Sequence, residues 1–291
     1  MPSTRDIRRR IKSVKNTAQI TKAMQMVASS KMRKAQLAAL AGRRFAILMN
    51  QMIVSAGKSS QDFAHPLMEQ RAVRKRAVLV VSTDKGLCGA LNTNLGREVA
   101  KFDKDTTVFV TAGRKASQFL VRTKRNLAAE FTYKDTPTVA EARAISKALQ
   151  ELFLKGEVDC VDVLFTRFVN TLTQKVDMRR LLPVSELKNL LREVAADPAA
   201  APEAASPQHL FEPNVEQVLS FILPIYLTVV IYQVLVEAKA SEHSSRMVAM
   251  KNATDNAMEL IKDLTLEYNK LRQANITKEL LEITTAQMAL G

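Results

Sequence analysis

The pattern of apolar and polar positions is most regular in the last fifty residues of the chain, residues 240–289, which contain neither glycine nor proline. Apolar or small residues recur there at steps of three and four: Met247, Met250, Thr254, Ala257, Ile261, Leu264, Tyr268 and Leu271. This seven-residue repeat is typical of a helix that lies along another helix. A helix cannot bury such a stripe against itself, so the pattern also predicts a partner helix.

The first part of the chain supplies a second helix with a similar stripe. One helical pattern runs from Ser3 to about Gly57, and Ser3 with Asp6 three residues later resembles a capping box. Its apolar positions fall in two phases: Ile7, Ile11, Val14 and Ala18, then Ala35, Ala38, Gly42, Phe45, Met49 and Met52. Such a helix would be roughly 80 Å long. Because the two stripes lie at opposite ends of the chain around a globular segment, we expect them to form an antiparallel pair.

The middle of the chain has a different hydrophobic period. Short runs rich in β-branched residues alternate with helical segments, which is typical of a small α/β domain with a largely parallel sheet. Strands are predicted at residues 76–83, 106–113, 127–133 and 159–168, with an edge strand at 173–184. Helices are predicted at residues 92–102, from 113 to about 123, and at 138–154.

These patterns divide the chain into four parts. They are residues 1–58, the N-terminal coiled-coil helix; 75–195, the central α/β domain; 196–213, a loop rich in proline and alanine; and 214–291, the C-terminal coiled-coil helix. The last helical pattern is broken only at Pro224. The predicted fold class is therefore α/β plus long helices: an antiparallel coiled coil of the N- and C-terminal helices with an inserted Rossmann-like α/β domain.

The chain is strongly basic, with a formal net charge of +14, and most of this charge lies on the N-terminal helix. Two interpretations stay open: a solvated face that keeps a coiled coil soluble, or a surface that meets an acidic partner. The two cysteines, Cys88 and Cys160, form no disulfide framework, which indicates a reducing compartment. The Arg-rich start of the chain resembles a transit peptide, but its apolar spacing continues into the helix, which favours mature protein.

The loop after the first strand, residues 83–92, occupies the place of a phosphate-binding loop in such domains. It has neither the glycine spacing nor the Lys-Ser/Thr ending of known phosphate loops, so a tight turn at Gly86 and Gly89 is favoured. Cys88 could be a nucleophile, but a small buried thiol is favoured because the α/β segment contains no histidine. The three histidines of the chain are scattered, so we predict no metal cluster and no catalytic triad.

Residues 218–236 carry no charge, and their length alone would allow them to span a membrane. Pro224 lies inside this run, and the helical pattern continues directly into the stripe that follows. We therefore expect a core helix packed on both the α/β domain and the N-terminal helix. A transmembrane helix is the less favoured alternative.

Four segments of the sequence together resemble one protein family. They are DIRRRIKSVKNTAQITKAMQMVASSKMRKAQ at residues 6–36, LVVSTDKGLCGALNTNL at 79–95, ASEHSSRMVAMKNATDNAMELI at 240–261 and YNKLRQANITKELLEI at 268–283. In this order they are similar to the γ subunit of rotary (F-type) ATP synthase, bacterial type. Ala90 and the pair Ala286-Gln287 depart from the usual family residues. The cysteine-bearing insert of chloroplast members is absent, so the resemblance implies no thiol switch.

The resemblance implies a non-catalytic subunit that transmits rotation. The helix pair would form a central stalk inside a hexamer of α and β subunits. The α/β domain would form a foot beside the ε subunit on a membrane ring of c subunits. Proton flow would turn the ring and the single copy of this chain to drive ATP synthesis, or hydrolysis in reverse. The family would place the chain peripherally on the cytoplasmic face of the bacterial inner membrane, without a cofactor or nucleic acid.

The resemblance also implies contact residues on both parts of the stalk. Those matching family contacts with the catalytic hexamer are Lys22, Met24, Arg246, Gln273 and Thr277. The first two match positions that pass an acidic loop of β, and the other three match positions that hydrogen-bond to loops of the catalytic subunits. Those falling where the family's foot meets the c ring and ε are His209, Phe211 and Glu212.

Two other functions stay open from the residues alone. A basic coiled coil could bind nucleic acid, and this alternative requires DNA binding that weakens with salt. The α/β domain could instead bind a nucleotide as an enzyme, and this alternative requires saturable binding that is lost when Gly86 or Gly89 is changed to valine.

Overall fold

The computed structural model describes residues 3–59, 65–184, 212 and 214–290. The first and last helices of this described chain are long: α1 (Thr4–Ser59) and α5 (Val215–Leu290). At a rise of 1.5 Å per residue they extend over about 84 Å and about 114 Å. Helix α1 begins at the predicted place, because Ser3 Oγ accepts a hydrogen bond of 3.2 Å from the backbone N–H of Asp6.

Five strands form one sheet: β1 (Arg76–Val81), β2 (Thr107–Ala112), β3 (Leu127–Phe131), β4 (Cys160–Phe168) and β5 (Gln174–Leu182). Their order across the sheet is β3-β2-β1-β4-β5. Strand β1 pairs parallel with β2 and β4, and β2 pairs parallel with β3. Strand β5 pairs antiparallel with β4 and lies at one edge. The predicted, largely parallel sheet with an edge strand is confirmed.

Three shorter helices pack with the sheet: α2 (Leu91–Ala100), α3 (Arg114–Arg122) and α4 (Val139–Leu154). Successive residues of a strand point to opposite faces of the sheet, and β1 shows this directly. Val78 and Val80 belong to a core with residues of α2 and α3, whereas Leu79 and Val81 belong to a larger core with residues of α4 and α5. The sheet is therefore covered by helices on both faces, as expected for a Rossmann-like domain.

The charge-free run of α5 belongs to the larger core. Its buried residues recur at helical spacing: Leu219, Ile222, Leu223, Tyr226, Leu227, Ile231, Val234 and Leu235. Met49 and Ile53 of α1 lie in the same core. Among the described residues, α5 is the one helix that is long and apolar enough to cross a membrane, judged by length and composition alone. Half of the residues in its most apolar stretch are buried within the protein. This burial supports a core helix packed on the α/β domain and on α1.

Contacts within the chain form two compact units, residues 1–28 with 246–291, and residues 29–245. In the first unit the predicted stripe of α5, from Met247 to Leu271, is buried or half-buried at every position. Thr21 and Thr254 meet there, with their hydroxyl oxygens 2.7 Å apart. In the second unit Gln233 Nε2 donates to the carbonyl oxygen of Ala39 at 3.3 Å. In the same unit Lys31 of α1 and Lys239 of α5 both contact Asp135, so residue numbers fall along α5 as they rise along α1. The predicted antiparallel pair is confirmed.

The predicted stripe of α1 is wrong at Phe45, which is 52% exposed. The buried positions near it are Met49 and Ile53, and both belong to the core that contains the sheet. In this part of the helix the buried face is therefore set by the α/β domain as well as by α5. The next predicted positions, Met49 and Met52, are buried and half-buried, so the phase of the stripe holds there and Phe45 is the position that departs from it.

Candidate functional site

A short segment of α5 binds the carboxyl edge of the sheet. The chain fills one side of β1 with β2 and β3 and then places β4 on the other side, so the strand order reverses between β1 and β4. In doubly wound sheets ligands bind in the crevice beyond the carboxyl ends of the strands at such a point. Here residues 239–245 of α5 hydrogen-bond to the strand ends and loops at this edge. We call them the docking segment.

Three serines of the docking segment donate to three backbone carbonyls. Their contacts are Ser241 Oγ to Thr166 O at 2.8 Å, Ser244 Oγ to Thr171 O at 2.8 Å, and Ser245 Oγ to Cys88 O at 2.6 Å. Thr166 lies in β4, Thr171 lies in the turn before β5, and Cys88 lies in the loop after β1. The helix is therefore held by directional bonds to three separate elements.

The loop after β1 is shaped to receive this helix. Gly89 has a φ of 59°, in the left-handed region, and a Cβ added there would lie 3.4 Å from Ser245 Oγ. Asn92 Nδ2 donates to Thr83 Oγ1 at 2.8 Å and to Cys88 Sγ at 3.2 Å, which closes the turn. The loop is thus a tight turn that carries a buried Cys88, as the sequence favoured.

One small cavity lies near this loop. A cavity of about 20 Å³ lies next to Asn92 and Gly96, between α2 and α3. This volume accommodates about one water molecule. Among the described residues no three His, Cys, Asp or Glu side chains are grouped so that they could hold a metal ion.

The docking segment also carries three buried ionisable side chains: Lys239, Glu242 and His243. Lys239 Nζ donates to Glu242 Oε2 at 3.0 Å and lies 3.9 Å from Asp135 Oδ1. His243 Nε2 lies 3.8 Å from the same oxygen. Lys31 of α1 donates to the other oxygen, Asp135 Oδ2, at 2.5 Å. The two oxygens of one carboxylate therefore face two different long helices.

Tyr133 also contacts this group of charged side chains. Its hydroxyl donates to the carbonyl oxygen of Ser82 at 3.0 Å, and Lys239 Nζ lies 4.3 Å from its ring centroid. Burial raises the pKa of Tyr133 well above its ordinary value, and the nearby acidic groups Glu242 and Asp135 raise it further. The phenol therefore stays protonated and keeps its role as a donor.

Asp135 is held as a carboxylate. The hydrogen bond from Lys31 lowers the pKa of Asp135 below its ordinary value, with a further contribution from the charge of Lys239. A lowered pKa means that this interaction stabilises the fold above the unfolded pKa of an aspartate. It is lost only as the pH falls through the lower, folded value.

The second candidate site is the end of α5. Thr4, the first residue of α1, precedes Thr21 by as many residues as Leu271 follows Thr254. Because the two helices are antiparallel, the start of α1 therefore lies level with Leu271 of α5. Beyond Leu271, α5 has no partner helix among the described residues, and all its described side chains to Met288 are exposed. This end is about 28 Å long at 1.5 Å per residue. It carries Ile276, Leu280, Leu281 and Ile283 as exposed apolar residues.

The threonine pair allows a test of the helix interface. One hydroxyl donates across the pair, while the other donates to a carbonyl of its own helix, Ala18 or Met250. Replacing Thr21 by valine is expected to lower the free energy of unfolding by about 1 kcal/mol, because a buried hydrogen bond is lost. The double variant Thr21→Val/Thr254→Val is expected to cost less than the sum of the single variants. Urea unfolding measures all three, and strictly additive losses would contradict a coupled pair.

The residues predicted to contact the hexamer lie at different levels of the helix pair. Lys22 is exposed and Met24 is half-buried on α1, while Arg246 is half-buried on α5. Gln273 and Thr277 are exposed beyond the end of the pair, and Thr277 Oγ1 donates to Gln273 O at 2.9 Å. Gln273 and Thr277, four residues apart on α5, therefore lie on one local surface.

The residues predicted for the foot are only partly covered by the described chain. Glu212 is exposed. His209 and Phe211 lie outside the described residues.

Sequence reasoning missed the docking segment and its partners Asp135 and Lys31. One signal was available: residues 238–245 combine small residues with Lys239, Glu242 and His243 directly after a charge-free run. Small residues allow a helix to approach a backbone closely, and charged residues between two apolar stretches need partners when they are buried. The positions of these partners, far away in sequence, could not be read from the pattern.

Comparisons with known proteins agree with this architecture. Residues 3–290 match the family described as ATP synthase. The chain is 48% identical over 296 residues to the ATP synthase gamma chain of Methylacidiphilum infernorum, covering 100% of both chains. It is also 48% identical to that of Opitutus terrae, covering 99% of both chains.

Solved structures share the fold. One chain of the central stalk and c ring of the Tetrahymena thermophila mitochondrial ATP synthase is 26% identical, with a TM-score of 0.62, covering 80% of this chain and 99% of that one. A chain of the Euglena gracilis mitochondrial ATP synthase has a TM-score of 0.68 at 20% identity, covering 99% of this chain and 94% of that one. The predicted fold class, two paired long helices with an inserted α/β domain, is confirmed.

The fold and the matches define a subunit of the rotary ATP synthases rather than a stand-alone enzyme domain. The chain belongs to the γ-chain family of ATP synthase. The rotor-subunit function implied by the sequence resemblance is thereby confirmed, and no comparison supports a nucleic-acid-binding protein.

Proposed function

We propose that this chain is the single central shaft of a proton-translocating bacterial F-type ATP synthase. In this proposal the α/β domain is the foot on the c ring beside the ε subunit, and the helix pair turns within the hexamer of α and β subunits. The chain would lie peripherally on the cytoplasmic face of the inner membrane. The observation that carries the proposal is the continuity of α5. One helix is anchored in the sheet domain, pairs with α1 and then continues alone beyond Leu271.

A shaft acts on distant sites through differential contact. A rotor can shift the conformation of a catalytic site only if it contacts the alternative conformations with different free energies at each angle. The helix pair meets this requirement because its sides differ: α1 carries a basic face, and α5 extends alone at the far end. The catalytic groups belong to the surrounding subunits in this proposal, and no bond-making residue is assigned to this chain.

The exposed cations of α1 are the proposed contact for the hexamer. Besides Lys22, they include Arg8, Arg9, Arg10, Lys12 and Lys15. These cations lie on several successive turns of the helix, so the basic face can attract acidic loops along its length. We place Lys22 and Met24 against the acidic loop of β, and Arg246, Gln273 and Thr277 against loops of the catalytic subunits. Glu212, together with His209 and Phe211, is proposed to meet the c ring and ε.

Coexpression with α and β subunits tests the proposed function. The chain is expected to copurify with the hexamer and to support its ATPase activity. In membranes that contain the remaining subunits, it is expected to support proton pumping. A chain that folds but fails to copurify with the hexamer would overturn the proposal.

Removal of the unpaired end of α5 tests the assignment of this part of the shaft. Ending the chain after Leu271 is expected to change the free energy of unfolding of the isolated chain by less than about 0.5 kcal/mol, because the side chains of residues 272–288 are all exposed. In the assembled complex, the same truncation is expected to reduce proton-driven ATP synthesis. A second truncation after Asn256 is the control, since it removes buried stripe residues and should destabilise the chain itself. Unchanged synthesis after the first truncation would contradict a role for this end.

A further inference from the structure

The docking segment buries three ionisable side chains on a helix whose preceding contact with the sheet domain is mainly aliphatic. Lys239, Glu242 and His243 are 1%, 3% and 2% exposed. Charged side chains are rarely buried to this extent unless they are paired. The preceding part of α5, including Leu223 and Leu227, binds the same domain through aliphatic packing. Two kinds of contact therefore hold one helix on one domain.

The two kinds of contact restrain different motions. Aliphatic packing is non-directional, so it holds a helix against a sheet but opposes rotation about the helix axis only through shape. Hydrogen bonds prefer donor angles above about 150° and weaken steeply when those angles are lost. Ser241, Ser244 and Ser245 each donate to a carbonyl of a different element. Rotation of α5 about its axis would misalign all three bonds.

Asp135 extends this restraint to the other long helix. Its Oδ1 lies near Lys239 and His243 of α5, and its Oδ2 accepts from Lys31 of α1. Asp135 follows β3, so it belongs to the sheet domain. A single carboxylate of the domain is therefore in contact with both long helices. Within residues 29–245, this is a direct polar link between α1, α5 and the sheet.

We propose that the docking segment is the torque-bearing joint of the shaft, in which Lys239 and Asp135 are positioning residues that fix the rotational setting of α5 on the α/β domain. This inference rests on the proposed rotor function. Torque applied to the α/β domain passes through these polar bonds into α5, and the helix carries it onward because it is continuous to Leu290. The apolar core holds α5 against the sheet, while the joint prevents rotation of α5 about its own axis.

The position of the joint supports this role. The docking segment lies at the reversal of strand order, where doubly wound domains otherwise bind a ligand. At this position one helix reaches loops that follow β1, β3 and β4 together. Torque is thereby distributed over several strands of a hydrogen-bonded sheet rather than taken by one loop.

The test uses the complete membrane-bound complex with Lys239→Met or Asp135→Asn in this chain. Methionine keeps the apolar stem of Lys239 and removes its charge, and asparagine keeps the shape of Asp135 while removing its charge. Either substitution removes a charge from the 3.9 Å ion pair between Lys239 and Asp135. Because contacts between charged groups are about twice as strong as neutral ones, we expect the angular variance of a probe fixed to the α/β domain to rise by about twofold in each variant. The number of protons pumped per ATP hydrolysed in vesicles should fall, while ATPase activity is retained.

Two controls separate the joint from general stability. Lys251→Met removes an exposed cation from the same helix and should leave both measurements unchanged. Asp135→Glu keeps the carboxylate at a half-exposed position and should restore pumping relative to Asp135→Asn. A purely structural role would lower the unfolding temperature without changing the angular variance or the pumping ratio, and that result would overturn the inference.

The inference can still be tested if a variant complex fails to assemble. If Lys239→Met does not assemble, Lys31→Met takes its place, because Lys31 is half-exposed and its replacement removes one side of the Asp135 link. Unchanged variance in both Asp135→Asn and Lys31→Met would overturn the joint. The wild-type complex separates the two proposals: if it fails to couple ATPase activity to pumping, the rotor function itself is wrong. Normal coupling in the wild type and in all variants would contradict only the joint.

Discussion

Replacing Leu223 by alanine is expected to lower the free energy of unfolding by about 2–5 kcal/mol, the range for aliphatic side chains removed from a packed core. Leu223 is fully buried in α5, within the core that also contains residues of the sheet, α4 and α1. The substitution leaves a cavity at the place where the long helix is anchored. Denaturant unfolding of the isolated chain measures the loss, and a smaller holoenzyme yield should accompany it.

The matched control lies two residues earlier in the same helix. Phe221 is 72% exposed, so Phe221→Ala removes a larger side chain without opening a cavity. Its effect is expected to stay within about 0.5 kcal/mol, as for most surface substitutions. Equal losses for the two variants would mean that helix propensity, rather than core packing, determines the result. That outcome would contradict the assignment of this face of α5 to the core.

Replacing Gly113 by alanine is the second large effect. The added Cβ would lie only 2.3 Å from the carbonyl oxygen of Ser82, and Gly113 has a φ of 105°. An unfavourable φ alone costs about 1–3 kcal/mol, and the collision adds to it because the contact is with backbone. The loss should exceed that range. It should also disturb the carbonyl of Ser82, which accepts the hydroxyl of Tyr133 beside the docking segment.

Two other glycines separate the causes of this loss. Gly156 has a φ of 73° with nothing within 4 Å of an added Cβ, so Gly156→Ala isolates the cost of the backbone conformation. Gly86 has open space around an added Cβ and no positive φ, so Gly86→Ala should be nearly neutral. Chemical denaturation of the three variants should give the largest loss for Gly113. A loss at Gly113 no larger than that at Gly156 would show that the backbone near Ser82 shifts to relieve the collision.

The repeating elements could be predicted because their causes are local. The stripe from Met247 to Leu271 requires only a 3.6-residue period and a partner, and it is buried as expected. The strands end within two residues of the predicted ends, since buried parallel strands read as short β-branched runs. The tight turn at Gly89 could be predicted because the loop lacks the glycine spacing and the Lys-Ser/Thr ending of known phosphate-binding loops.

The docking segment could not be predicted in the same way. Its partners Asp135, Thr166 and Cys88 lie far from residues 239–245 in sequence, and no local period links them. Phe45 shows a related limit, because the period of the stripe does not tell which of its positions is covered by another part of the chain. Function was a third kind of inference. It came from four segments that resemble one family, since neither charge nor spacing alone distinguishes a shaft from other basic coiled coils.

The unpaired end of α5 has a consequence for the rate at which a cell should produce this subunit. Its exposed apolar residues include Ile276, Leu280, Leu281, Ile283 and Met288. In the proposed complex other subunits enclose this end, and before assembly it can associate with other apolar surfaces, a hazard that rises with concentration. On this proposal, cells gain from making this chain no faster than the subunits that enclose it. A surplus of free copies would be removed by aggregation or proteolysis before it could be used.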